Sequence, residues 1–146
     1  METANKHLLR HVYAEISKGN VQPLLDSLAD DVEWTIIGTT ALSGTSRGKQ
    51  EVIDNLLKPI RARLADGPIV FQPERFIAEG EYVVMQAQGR ATALSGKPYN
   101  NTYCIVCRIV GEAVEQRLHI AFGDLGIDMP QELLVRRFHD FTFSRF

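Results

Sequence analysis

The chain has 146 residues, 45% hydrophobic and 23% charged, the balance of one soluble domain around a single apolar core and not of a disordered or fibrous chain. Its 16 Lys and Arg against 18 Asp and Glu give a net charge of -2, so no global field draws it to nucleic acid or to an anionic membrane. No apolar run approaches the roughly 20 residues of a membrane span, and METANKHLLRHVYAEIS is charged where a secretory signal would be apolar. A cytoplasmic chain is expected.

The first segment sets Leu8, Leu9, Val12 and Ile16 at helical spacing and follows them with Gly19-Asn20, a left-handed stop. A second short helix is entered at Pro23, carries Leu24, Leu25 and Leu28, and ends before Asp30-Asp31, which makes a helical hairpin. Residues 32–37 alternate as a strand, and 38–48, with three glycines among Ser and Thr, read as a loop. Val52, Ile53, Leu56, Leu57 and Ile60 repeat as a third helix that Pro59 is expected to kink or end, since it has no N–H. Strands are then predicted over 69–78, 82–93, 99–110 and 113–122, joined by turns at 79–81, 95–98 and 111–112. Helices followed by a close-spaced meander imply an α+β fold with a strongly bent antiparallel sheet wrapped around the N-terminal helices. The domain is expected over 1–122. Residues 123–146 form a C-terminal extension whose Phe138, Phe141, Phe143 and Phe146 would be docked on the domain or on a dimer partner.

Cys104 and Cys107 make a C-x-x-C, but in a β-branched run that reads as a strand. There, three residues span about 10 Å and put the thiols on opposite faces, beyond disulfide reach. His7 and His11 have the helical spacing of a metal pair but no third ligand nearby, so a solvent-facing pair is expected. The Gly-Lys at 48–49 lacks the Ser/Thr and the spacing of a phosphate loop. Neither a metal nor an organic cofactor is expected.

Three stretches resemble the SnoaL-like group of the nuclear-transport-factor-two-like superfamily, relatives of which include ketosteroid isomerases and polyketide cyclases. They are 13–34 (YAEISKGNVQPLLDSLADDVEW), 38–52 (GTTALSGTSRGKQEV) and 96–108 (GKPYNNTYCIVCR). The resemblance implies a cystatin-like, cone-shaped α+β barrel enclosing one apolar pocket, commonly as a homodimer through the outer sheet face. It does not fix the chemistry, because one cone hosts isomerases, cyclases, hydrolases and plain binding modules. Aligned on the isomerases, the base position falls at Thr35, the tyrosine donor at Val12 and the second acid at Ile105. None of these can shuttle a proton, so ketosteroid isomerisation by that mechanism is not expected.

Residues expected to touch a ligand are Trp34, as an aromatic wall or equally as a core anchor, and Thr35, which alternation points the other way. Pairing across 95–98 would put Gln86, Gln88 and Arg90 on one face with Tyr103, Ile105 and Cys107, a polar row in which Gln86, Gln88 and Tyr103 could hold a ligand's polar group. A slip of one residue would turn that row outward. On the last strand the resemblance directs Leu118 and Ile120 to the pocket and leaves Glu115, Arg117 and His119 outside. The expected partner is a small apolar molecule bound by a cofactor-free isomerase, cyclase, lyase or hydrolase. The alternative is a non-catalytic dimeric module with a filled cone. An open pocket near 300 Å³ with a desolvated titratable group would favour the chemistry.

Overall fold

The structure, a computed structural model, describes residues 2–111, 113–115 and 117–120. Helix α1 (Glu2–Ser17) buries Leu9, Val12 and Tyr13 on one face, with Leu8 and Ile16 at its margins. It stops where expected. Gly19, at φ 88°, lets its N–H reach Ile16 O (2.9 Å) and the Asn20 N–H reach Glu15 O (2.9 Å), the paired bonds that close a helix through a left-handed residue. Helix α2 (Gln22–Ser27), with Pro23 in its first turn, returns to bury Leu24, and Leu28 just beyond it is buried too.

Strand β1 (Glu33–Ile36) follows, and the chain comes back along it as β2 (Gly44–Arg47), pairing Glu33 with Arg47 and Ile36 with Gly44. This corrects the expectation of an unbroken loop over 38–48. The glycines flank a Thr-Ser-Arg segment that has ordinary strand chemistry once β1 offers it a ladder. The third helix consists of α3 (Lys49–Val52), a π-helical segment (Ile53–Leu57) and α4 (Lys58–Arg63). Pro59 does not end it. Pro59 offers no N–H to Asn55 O four residues back, and the helix widens ahead of the proline, with the Lys58 N–H bonding Ile53 O five residues back.

Strands β3 (Val70–Glu79), β4 (Tyr82–Thr92), β5 (Pro98–Val110) and β6 (Ala113–Glu115) form an antiparallel meander in that order. Strand β3 is the edge, so Pro73 removes no ladder bond from a second neighbour, and a bulge follows it before Arg75. Strand β7 (Arg117–Ile120) leaves the meander to lie parallel beside β1, so the successive strands β6 and β7 link the large sheet to the β2-β1-β7 sheet. Residues 121–122 of the predicted last strand and the 123–146 extension lie outside the described residues.

One main core fills the concave side. Ser17 ties α1 to β3, its Oγ donating to Tyr13 O (2.8 Å) and accepting the Phe71 N–H (2.9 Å). The Phe71 ring packs edge-on against Tyr13 (centroids 5.0 Å apart) and at a tilt against Tyr103 (5.1 Å). The cysteines fall on opposite faces as expected, Cys107 buried and Cys104 half-buried, both as thiols. No helix among the described residues is long and apolar enough to cross a membrane.

Candidate functional site

Alternation along β1 turns Trp34 and Ile36 inward, 4% and 3% exposed, and leaves Glu33 and Thr35 on the other side. Across the pair, Ser46 stands opposite Trp34 and is also buried. The strap between the two strands, 38–43, turns out and returns between Gly38 (φ 108°) and Gly44 (φ 131°), angles that L side chains rarely adopt. It holds its own shape: the Thr40 N–H donates to Ser43 Oγ (2.9 Å), the Leu42 N–H to Thr40 Oγ1 (3.3 Å) and the Ser43 N–H to Thr40 O (3.0 Å). That folding tucks Leu42 inward to 9% exposure. The widened turn of the third helix brings Asn55 and Leu56 to the opposite side.

These elements line a half-open pocket of about 160 Å³, with Trp34, Ile36, Ala41, Leu42 and Leu56 as its apolar part and Ser43, Thr45, Ser46 and Asn55 supplying most of its exposed surface as polar atoms. No Asp, Glu, His, Cys, Lys or Arg among the described residues lines it. Trp34 Nε1 is buried and has no hydrogen-bond partner among the described residues. An unpaired buried donor costs about 1–3 kcal/mol, so this atom is ready for an acceptor.

A second polar group lies on the inner face of β5, where Tyr99, Asn101 and Tyr103 are all buried. Asn101 Nδ2 donates to Tyr99 Oη (2.7 Å) and Tyr103 Oη (3.4 Å), and Tyr103 Oη donates to Tyr99 Oη (3.2 Å). Gly89 faces Asn101 across the ladder and makes room for the Tyr103 ring. Burial raises the pKa of Tyr99 and of Tyr103. Burial, reinforced by Cys107 and Tyr103 close by, raises Tyr13 well above the usual phenol range. Burial pushes the Cys107 thiol up to about 12. At neutral pH these groups hold their protons. They can donate hydrogen bonds, and none serves as a base.

The structure separates the residues that the sequence grouped. Trp34 lines the pocket, whereas Thr35 is on the outer face, where its Oγ1 lies 2.8 Å from Thr45 Oγ1. Tyr103 is inside, but Gln86 and Gln88 are not beside it. They pair with Cys104 and Thr102 on the outer face, and Tyr103 pairs with Ala87. The ladder closes at Thr92 and Pro98, leaving five residues in the connection where four were expected, and that one residue reverses the face of the whole row. Gln88 spends its amide on the surface, with Nε2 donating to Glu74 (3.2 Å) and Oε1 accepting from Thr102 (3.2 Å). Leu118 and Ile120 occupy register positions beside Trp34 and Ile36. Val12 and Ile105 are core residues, and His7 and His11 are both exposed. Leu42, Ser46, Asn55 and Leu56 were missed because their meeting depends on β2, which composition hides. Tyr99 and Asn101 could have been found from the Tyr-x-Asn-x-Tyr alternation.

The chain matches the model of the SnoaL-like domain family over residues 9–116. Among solved structures, an NTF2-like protein of unknown function from Burkholderia pseudomallei superposes with a TM-score of 0.72 at 25% identity, covering 82% of this chain and 90% of that one. An NTF2-like protein from Burkholderia thailandensis gives 0.70 at 18% identity, covering 90% and 93%. TerC, co-crystallised with polyporic acid, gives 0.69 at 20% identity, covering 93% and 95%. No curated protein of known function matches significantly.

Proposed function

Because the chain belongs to the SnoaL-like domain family and has its α+β cone, we propose that it binds a small, largely apolar molecule of about one ring. The ligand sits in the pocket against Trp34, and a single hydrogen-bond acceptor on it meets the neutral polar groups there. The observation that carries this reading is a pocket of about 160 Å³ beside the buried Trp34 indole, where Ile36, Ala41, Leu42 and Leu56 meet the mostly polar edge formed by Ser43, Thr45, Ser46 and Asn55, and which no ionisable side chain among the described residues lines. A dry cavity of about 150 Å³ holds one benzene-sized molecule, whereas drug-sized ligands occupy about 300 Å³ or more. A four-ring steroid therefore exceeds the space. A compact cyclic ketone or lactone fits it. Among the described residues no carboxylate or imidazole lines the pocket, so the reading commits to binding and assigns no general base. The co-crystallisation of TerC with polyporic acid supports treating the cone as a small-molecule scaffold.

The test is calorimetry with cyclohexanone, δ-valerolactone and a steroid ketone. The proposal expects saturable binding of a single-ring compound and none of the steroid. Binding of the steroid alone, or of nothing, overturns it. A second reading, dimeric assembly, is supported by the exposed apolar side chains of Val70, Ile77 and Tyr82 along β3 and β4. Light scattering decides it, a mass of two chains supporting the dimer and a mass of one refuting it.

A further inference from the structure

We infer that Leu42 sets the upper size of the ligand, an inference that rests on the proposed pocket. Most of the apolar lining belongs to regular elements: Trp34 and Ile36 are fixed by the β1 ladder and Leu56 by the helix. Leu42 alone among these bulky side chains comes from the strap. Its place is determined by the two positive-φ glycines at 38 and 44 and by the Thr40–Ser43 bonds between them. Ala41 beside it also lines the pocket but is small and exposed, so Leu42 is the one bulky apolar side chain that the strap contributes. Leu42 joins the same buried cluster as Trp34, Ile36 and Leu56, is 9% exposed and forms part of the pocket wall. Shortening Leu42 enlarges the pocket without cutting a strand or helix, and lengthening it fills the pocket. It is thus a specificity-determining residue, one that separates single-ring from fused two-ring ligands.

The experiment compares the full chain with Leu42→Ala and Leu42→Phe, using cyclohexanone and 1-tetralone as probes and calorimetry as the readout, with circular dichroism and thermal melts of each variant. Wild type is expected to bind cyclohexanone and to discriminate against 1-tetralone. Leu42→Ala should tighten 1-tetralone by about tenfold or more and weaken cyclohexanone, the scale of discrimination that one or two methylenes give in an apolar pocket. Leu42→Phe should abolish cyclohexanone binding. If Leu42→Ala does not fold, Leu42→Val takes its place with the same direction of change. Wild-type binding of cyclohexanone with an unchanged ranking in the folded variants overturns the gate and leaves the pocket standing. Failure of wild type to bind either probe overturns both.

Discussion

Gly89→Ala is expected to destabilise this protein, against the usual direction. In a strand interior, replacing glycine by alanine recovers roughly 0.5–1 kcal/mol of backbone entropy. At position 89 the new Cβ would collide with Cε2 of Tyr103 and come within 3.2 Å of both Tyr103 Cδ2 and Ile69 Cγ2. The Tyr103 ring has little freedom to retreat, because its hydroxyl is engaged with Asn101 and Tyr99 and the tilted Phe71 ring packs against it at 5.1 Å between centroids. Overpacking of a tight core costs about 1–3 kcal/mol, and a ring fixed on two sides belongs at the upper end, which leaves a net loss of about 2 kcal/mol. For a domain of this size that is a fall of about 6 °C in Tm. Urea unfolding of wild type, Gly89→Ala, Tyr103→Leu and the double variant forms the cycle that isolates the contact. With the ring removed, Gly89→Ala should become neutral or stabilising. A stabilised Gly89→Ala, or the same penalty in the Tyr103→Leu background, would refute the argument that the ring determines the glycine.

Three further outcomes are expected. The folded Cys107 thiol has its pKa raised from 9.0 to about 12 by burial. Above pH 9 the unfolded chain therefore releases a proton that the folded chain keeps, and stability falls as pH rises, by about 1.4 kcal/mol per unit for one such group. Urea melts between pH 8 and 10.5 should show Cys107→Val with a shallower decline than wild type; equal slopes would contradict this. Trp34→Phe, which keeps an aromatic ring but removes the unpaired N–H, should stay within about 1.5 kcal/mol of wild type, whereas Trp34→Ala should lose about 3–5 kcal/mol; chemical denaturation reads both, and equal losses would deny the unpaired donor any cost. Gln88→Ala should leave ligand affinity at the Trp34 pocket unchanged by calorimetry, since its amide is bonded on the outer face; a tenfold loss would return Gln88 to the site.

The parts of the fold that the sequence made legible are those governed by local periodicity. The stripe of Leu8, Leu9, Val12 and Ile16 and the Gly19 stop locate α1 within the chain itself, and β-branched runs mark β4 and β5. The parts that stayed hidden depend on partners far away in sequence. Strand β2 has the composition of a loop and becomes a strand only because β1 pairs with it. The face presented by Gln86 and Gln88 depends on one residue in the 93–97 connection, a parity that composition does not carry. Pro59 looks like a stop, yet the helix continues through it by widening, and that turn brings Asn55 to the pocket. Trp34 was recognisable as a candidate, pocket wall or core anchor, because it is the single tryptophan of the chain and sits on the first strand, where alternation opposes it to Thr35. The residues around it were not, since they converge from a strap, a disguised strand and a helical defect.

The proposed ligand, a compact and largely apolar molecule, lodges against Trp34. Trp34 is the single tryptophan of the chain, so its indole N–H gives one resolved proton–nitrogen resonance, and titration with cyclohexanone can be followed on that signal alone. A saturable shift of the Trp34 indole resonance is expected, with a midpoint equal to the calorimetric Kd, and no saturable shift in Leu42→Phe. A resonance that does not move while ligand binds elsewhere, or one that drifts linearly without saturation, would contradict it.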